Sequence, residues 1–307
     1  MERKISSEQS ELTELFRQRA GASAASSEDV VLGLVSELRK SAKAKPGQVP
    51  LDKYLTLRNV VEVSYCRDLG FDAKIEPVGN TFSDGFRIAI NRSASASRSR
   101  FSLAHELCHT FFYELVPELK FLPRLNDPAE ERLCNLGAAE LLMPAKLVKR
   151  ESKGHPICLK TLEQLATLFR VSNEAMAFRL NQLNLWQVEL SSWIKLTNGK
   201  FAIERIVGGA NKDWEWPDAS QLEEAWTLGR PLTGHQFLTR PDDRGILTVL
   251  PIRFDLARRG NRISVLWGKG VTGSNANHGS LFQHRVFLPL RPEKGQKQAE
   301  CALNLEP

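Results

Sequence analysis

The alternation of apolar and polar positions divides the chain into a helix-led first part and a strand-rich last third. Residues 1 to about 50 hold two helical patterns, Glu8 to Arg19 and Glu28 to Ala44. The small-residue run Gly21-Ala22-Ser23-Ala24-Ala25-Ser26-Ser27 lies between them, and Pro46, Gly47 and Pro50 close the segment. This predicts a flexible N-terminal leader over 1–50. Leu55, Val60, Val61, Val63 and Tyr65 predict a helix from Leu51 to Leu69, stopped by Gly70. Period-two alternation then predicts strands at 73–78 and 86–91. Helical periodicity returns from Ser97 to Tyr113 and from Pro128 to Leu142, with Pro144 just beyond.

Thr161 to Leu185 reads as a helix-turn-helix, Leu162 to Phe169 and Asn173 to Leu183 around Arg170-Val171-Ser172, with Ser172 as N-cap. Beyond Trp186, strand-like runs dominate at 192–196, 201–207, 245–252, 263–267 and 283–290. One helix interrupts them, opened by the capping-box pattern Ser220-Gln221-Leu222-Glu223. The expected fold class is α+β. After the leader it has a folded domain over 51–150, a helix-turn-helix-like unit over 151–187, a β-rich domain over 188–292 and a disordered tail over 293–307.

Composition narrows this little. A chain of 307 residues exceeds one small core. The 42 basic against 36 acidic side chains leave a net charge of +6, which suits a nucleic-acid partner or simple solubility equally well. No apolar run approaches the ~20 residues of a membrane-spanning helix. The start Met1-Glu2-Arg3-Lys4-Ile5-Ser6 is polar and lacks a secretory signal, so the cytoplasm is the expected compartment. Five widely spread cysteines without a Cys-x-x-Cys pair fit neither a disulfide framework nor a thiolate zinc site, and read as reduced, mostly buried thiols.

The chemistry sits in His105-Glu106-Leu107-Cys108-His109. His-x-x-x-His on a helix puts two imidazoles one turn apart on one face, where both can ligate one metal ion. Glu106 lies beside them and can take a proton from the attacking water and deliver it to the leaving amine. A zinc peptidase needs a third protein ligand, and Glu131 on the next predicted helix supplies it in preference to Glu130. Asn135, one turn on, is placed to bond a ligand histidine from behind. Without the upstream histidines, both glutamates would read as solvated charges favoured at a helix N-terminus. Zinc is the expected ion, and manganese suits the same donor set.

Arg100-Phe101-Ser102-Leu103-Ala104-His105-Glu106-Leu107-Cys108-His109, with Glu131-Arg132-Leu133-Cys134-Asn135 and Ala138-Ala139-Glu140-Leu141-Leu142-Met143-Pro144, resembles the ImmA/IrrE family of metallopeptidases over roughly Leu51 to Leu185. The resemblance implies a gluzincin-like peptidase domain at 51–150, with His105, His109 and Glu131 as ligands and Glu106 as general base. It implies a regulatory endopeptidase whose partner is a helix-turn-helix transcriptional repressor, cleaved to switch on stress-response or mobile-element genes. It also implies a GAF-like sensor for a small-molecule ligand in the β-rich region. Two positions depart from the family pattern: Cys108 stands where a small residue, often glycine, is usual, and Gly137 where phenylalanine is usual.

Other candidates read more simply. Cys108 is a small buried thiol rather than a ligand, and Tyr113 a packed aromatic rather than an oxyanion donor. His155 reads as loop surface; His235, His278 and His284 lack partners at ligand spacing. The second helix of the helix-turn-helix carries one basic residue, Arg179, so direct DNA binding is expected to be weak, and the unit reads as packing or docking surface. Arg98-Ser99-Arg100 and the cluster from Arg253 to Arg262 read as solvated faces. The competing reading is a DNA-binding or ligand-sensing transcriptional regulator that keeps the peptidase fold as a scaffold.

Overall fold

The computed structural model describes residues 26–44, 49–67, 69–114, 128–208, 217–229, 231–241, 247–268, 271 and 287–288. The helix expected at Glu8 to Arg19 and the tail at 293–307 lie outside them. The chain falls into two compact units, one of residues 1–154 with 162–185, the other of 155–161 with 186–307.

In the first unit, helix α1 (Ser27–Ser41) begins at Ser26, whose hydroxyl accepts the Asp29 backbone N–H. It buries Val30, Val31, Val35 and Leu38. This part of the expected leader is therefore packed structure. Its Arg39 donates to the Leu141 carbonyl, which ties it to the helix of the third expected ligand. Helix α2 (Leu51–Leu57) is shorter than the expected helix to Leu69. The chain turns at Asn59 in the left-handed region (φ 56°) and continues as strand β1 (Val60–Cys66). The valines and tyrosine counted as helical apolar positions are β-branched and aromatic, types that fit a pleated surface better.

Strands β2 (Ala73–Pro77) and β3 (Phe86–Asn91) complete a three-stranded sheet in the order β1-β3-β2, with β1 parallel and β2 antiparallel to β3. Phe86, Ile88 and Ile90 of β3 form one fully buried face, as their alternation requires. Helix α3 (Ala96–Tyr113) follows, capped by Ser95, and then α4 (Pro128–Leu142), both close to the expected bounds. Helix α5 (Ala145–Ser152) was not anticipated. Pro144 opens it rather than ending α4, since proline is tolerated where a helix starts, and the Glu140 carboxylate accepts the Ala145 N–H. Helices α6 (Leu159–Phe169) and α7 (Asn173–Gln182) flank the 170–172 turn, where Ser172 accepts the Ala175 N–H.

The second unit is an antiparallel sheet. Strands β4 (Val188–Lys195), β5 (Phe201–Val207), β6 (Leu232–Pro241), β7 (Leu247–Arg259) and β8 (Arg262–Gly268) run in the order β5-β4-β8-β7-β6, with β9 (Phe287–Leu288) paired to β7. Strand β6 was missed, and β7 runs well past Ile252. Helix α8 (Ala219–Leu228) closes one face through a cluster that includes Trp193, Leu222, Ala225, Phe254 and Trp267. Its capping box is Asp218 with Gln221, not Ser220 with Glu223. Arg258, expected on a solvated face, lies 4.2 Å over the Trp226 ring and donates to the Trp226 carbonyl.

Candidate metal centre

Helix α3 brings His105 and His109 together because residues four apart share a helix face. Their Nε2 atoms stand 3.2 Å apart and the ring centroids 5.0 Å. Glu131 approaches from α4, with Oε2 3.1 Å from His105 Nε2 and Oε1 3.6 Å from His109 Nε2. A tetrahedral zinc ion with bonds of about 2.0–2.2 Å has ligand-to-ligand edges of about 3.3–3.6 Å. The three side chains enclose a space of that scale, and they form one of the groups that can hold a metal ion.

The histidines' other nitrogens support this fit. His105 Nδ1 lies 3.0 Å from Asn135 Oδ1, and His109 Nδ1 lies 2.6 Å from Glu130 Oε1. Both partners are acceptors, so each Nδ1 donates its proton outward. With both Nδ1 protons held outward, each Nε2, once its own proton is given up, would face inward as a donor to a cation. A cation there would take the place of the Nε2 proton through which His105 meets Glu131.

Electrostatics agree. The hydrogen bond from His105 holds the Glu131 carboxyl below its ordinary range, against some opposing burial. Burial is the largest influence on His109 and opposes its charged form. The hydrogen bond and charge of Glu130, with Glu106 and Glu131, outweigh it and raise the imidazole pKa. Glu106 is buried, which raises its carboxyl pKa; His109, His105 and the Ile75 backbone N–H partly offset this. The centre thus attracts positive charge and holds a carboxylate with unusual proton affinity beside it.

The α3–α4 layer is pinned from outside. Arg58, just beyond α2, donates from Nε to Thr110 Oγ1 at 2.9 Å and from Nη2 to the Thr110 carbonyl at 2.8 Å. Its guanidinium lies 4.8 Å from each of the Phe82 and Phe111 ring centres.

Some side chains are not where the sequence suggested. Glu130, passed over as third ligand in favour of Glu131, is buried against His109, a role that spacing alone did not reveal. Helix geometry offered a faint signal, since Glu130 and Glu131 point about 100° apart and so meet different surroundings. Glu130 and Cys134 also form a second cluster with His109, but burial pushes the Cys134 thiol well up and keeps its proton on. Cys108 is buried with its thiol likewise raised, and lies outside both clusters. Tyr113 packs on Phe86 with ring centres 5.4 Å apart. Arg179 is buried, donating to the Met143 carbonyl at 3.0 Å and pairing with Glu140. His155 is exposed.

Residues 66–181 match the family model for Peptidase M78, the IrrE N-terminal-like domain. Over 69 residues the chain is 42% identical to the radiation response metalloprotease IrrE of Deinococcus deserti, an alignment covering 20% of this chain and 24% of that protein. The chain thus spans about a quarter of the length of that curated relative. A solved structure of a Mycobacterium tuberculosis transcriptional regulator aligns over 85% of this chain and 80% of its own, with a TM-score of 0.46 and 12% identity.

Proposed function

From the match of residues 66–181 to the IrrE N-terminal-like peptidase family we propose that the chain is a zinc-dependent regulatory endopeptidase. The convergence of His105, His109 and Glu131 beside buried Glu106 is the observation that carries this reading. The family implies a divalent metal; zinc suits the nitrogen and oxygen donors best, and manganese would fit them too. When bound, such an ion supplies Lewis acidity and a nucleophile at neutral pH. His105, His109 and Glu131 would hold it, leaving the open side to water and substrate. Glu106 takes the proton of the attacking water and returns it to the leaving amine. Its raised pKa makes it a better proton acceptor than an exposed glutamate.

The substrate on this reading is a partner protein, a helix-turn-helix transcriptional repressor whose cleavage switches on stress-response or mobile-element genes. The second unit is the natural place for a GAF-like sensor of a small ligand, its sheet covered on one face by α8. Residues 161–185 serve as packing or docking surface. Burial of Arg179 supports this, because it removes the one basic side chain of α7 from reach of a phosphate. No helix among the described residues is long and apolar enough to cross a membrane; the proposed site of action is the cytoplasm.

The test is a reporter strain carrying wild-type protein or Glu106→Gln. The reading expects induction and a shortened partner protein with the wild type only. Equal induction by both, with tight sequence-specific DNA binding in vitro, would replace it with the scaffold regulator.

A further inference from the structure

Two adjacent glutamates on one helix face opposite sides of the same histidine. Glu131, with its side chain 41% exposed, stands on the Nε2 side of His109; Glu130, with its side chain 8% exposed, stands on the Nδ1 side at 2.6 Å. Glu130 Oε2 is buried and meets no hydrogen-bond donor among the described residues, so His109 is the carboxylate's one such partner there. Burying a carboxylate is costly, and such a group persists where its charge is directed at a specific partner. The other histidine has a weaker counterpart: His105 meets the neutral amide oxygen of Asn135, five residues further along α4.

We propose that Glu130 is a positioning residue for the metal centre: it locks His109 in the tautomer that presents Nε2 inward and raises the basicity of that nitrogen. The proposal rests on the metallopeptidase reading. One helix therefore supplies a front ligand, Glu131, and two rear supports, Glu130 and Asn135. The rear supports are unequal. The carboxylate makes His109 the stronger donor, and the amide leaves His105 the weaker one. Partners behind ligating histidines typically contribute about 10–100-fold to metal affinity.

The test uses the full chain, its Glu130→Gln and Glu130→Ala variants, and Glu131→Ala for comparison. Zinc affinity is read by competition with a chromophoric chelator, and folding by circular dichroism. The tautomer of His109 is read in the metal-free protein from ¹⁵N–¹H correlations of the imidazole ring. Glu130→Ala should lose about 10–100-fold in affinity and move His109 toward the Nε2–H tautomer. Glu130→Gln keeps an acceptor but no charge, so it should keep the tautomer and lose less affinity. Glu131→Ala should lose more affinity than either and leave the tautomer alone. Wild-type affinity and tautomer in Glu130→Ala would overturn the proposal while leaving the metallopeptidase reading intact. A wild-type chain that binds no zinc would end that reading and the proposal with it. If Glu130→Ala does not fold, Glu130→Gln decides: unchanged affinity, or a lost tautomer, refutes the role.

Discussion

A Cβ placed on Gly137 would stand 2.7 Å from Cys108 Sγ and 3.1 Å from Val31 Cγ1, so α4 meets α3 and α1 at a point with no room for a side chain. The two departures from the family pattern are therefore one feature, a larger residue at 108 facing a smaller one at 137. Gly137→Ala should destabilise the chain by about 1–3 kcal/mol, although alanine is the better helix former by about 1 kcal/mol. In a Cys108→Ala background the penalty should shrink by at least about 0.5 kcal/mol, the scale at which contacting residues couple. Urea unfolding of the four proteins measures this. Equal losses in both backgrounds would show that the sulfur is not what excludes a side chain.

Arg179 leads to a second expectation. Its side chain is buried, donates to the Met143 carbonyl and to Gln182, and pairs with Glu140, whose carboxylate also caps α5 at Ala145. Removing one partner of a buried pair strands the other, so Arg179→Ala should cost about 3–5 kcal/mol. Exposed-face changes such as Gln164→Ala should stay within about 1 kcal/mol. Binding to duplex DNA, measured beside stability, should be as weak in the wild type as in a folded Arg179→Lys variant. A steep, salt-dependent loss of affinity in that variant would return Arg179 to the role of phosphate anchor.

Much of the first unit was legible because its signals are local. The His-x-x-x-His spacing defines a face, the alternation of Phe86, Ile88 and Ile90 defines a strand, and Ser172 marks a helix start. What was missed depended on partners distant in sequence. Val60 to Tyr65 satisfies a helical count as well as a strand, and pairing with β3 decides between them. The helix that follows Pro144 was missed because the Glu140 carboxylate that receives its first N–H is a side-chain event. The contrast between buried Glu130 and half-exposed Glu131 follows from where α4 meets α3, which no local pattern records. Strand β6 gave little warning, being tied by its pairing with β7.

The turn between α6 and α7 places Arg170 in the left-handed region at φ 57°. An L-residue other than glycine pays about 1–2 kcal/mol there. Arg170 also presents like charge to Arg100, whose pKa is lowered first by burial and then by Arg170. Glycine removes both penalties but adds unfolded-state entropy of about 0.4–1 kcal/mol. Arg170→Gly should therefore stabilise the chain by roughly 0.5–1 kcal/mol. Arg170→Ala, which removes the charge but keeps the strain, should gain less. Thermal melts of both variants make the comparison; a larger gain from alanine would assign the cost to charge rather than backbone.

Metal and stability should be linked through the same geometry. The three proposed ligands come from two helices, His105 and His109 from α3 and Glu131 from α4, so a bound ion would cross-link the layer. Any ligand bound only by the folded state stabilises it by mass action, about 4 kcal/mol at a thousandfold excess over Kd. For a unit of this size that corresponds to a rise in melting temperature on the order of 10 °C. Chelator-treated wild-type protein should regain it on adding zinc. His105→Ala and Glu131→Ala should melt near the metal-free wild type and respond little to zinc. Glu106→Gln should respond almost fully, because its carboxylate lies beside the three ligands rather than among them. Calorimetry with and without zinc decides the assignment. A full zinc response in His105→Ala would mean that the ion sits elsewhere, and an absent response in Glu106→Gln would make Glu106 a ligand rather than the proton carrier.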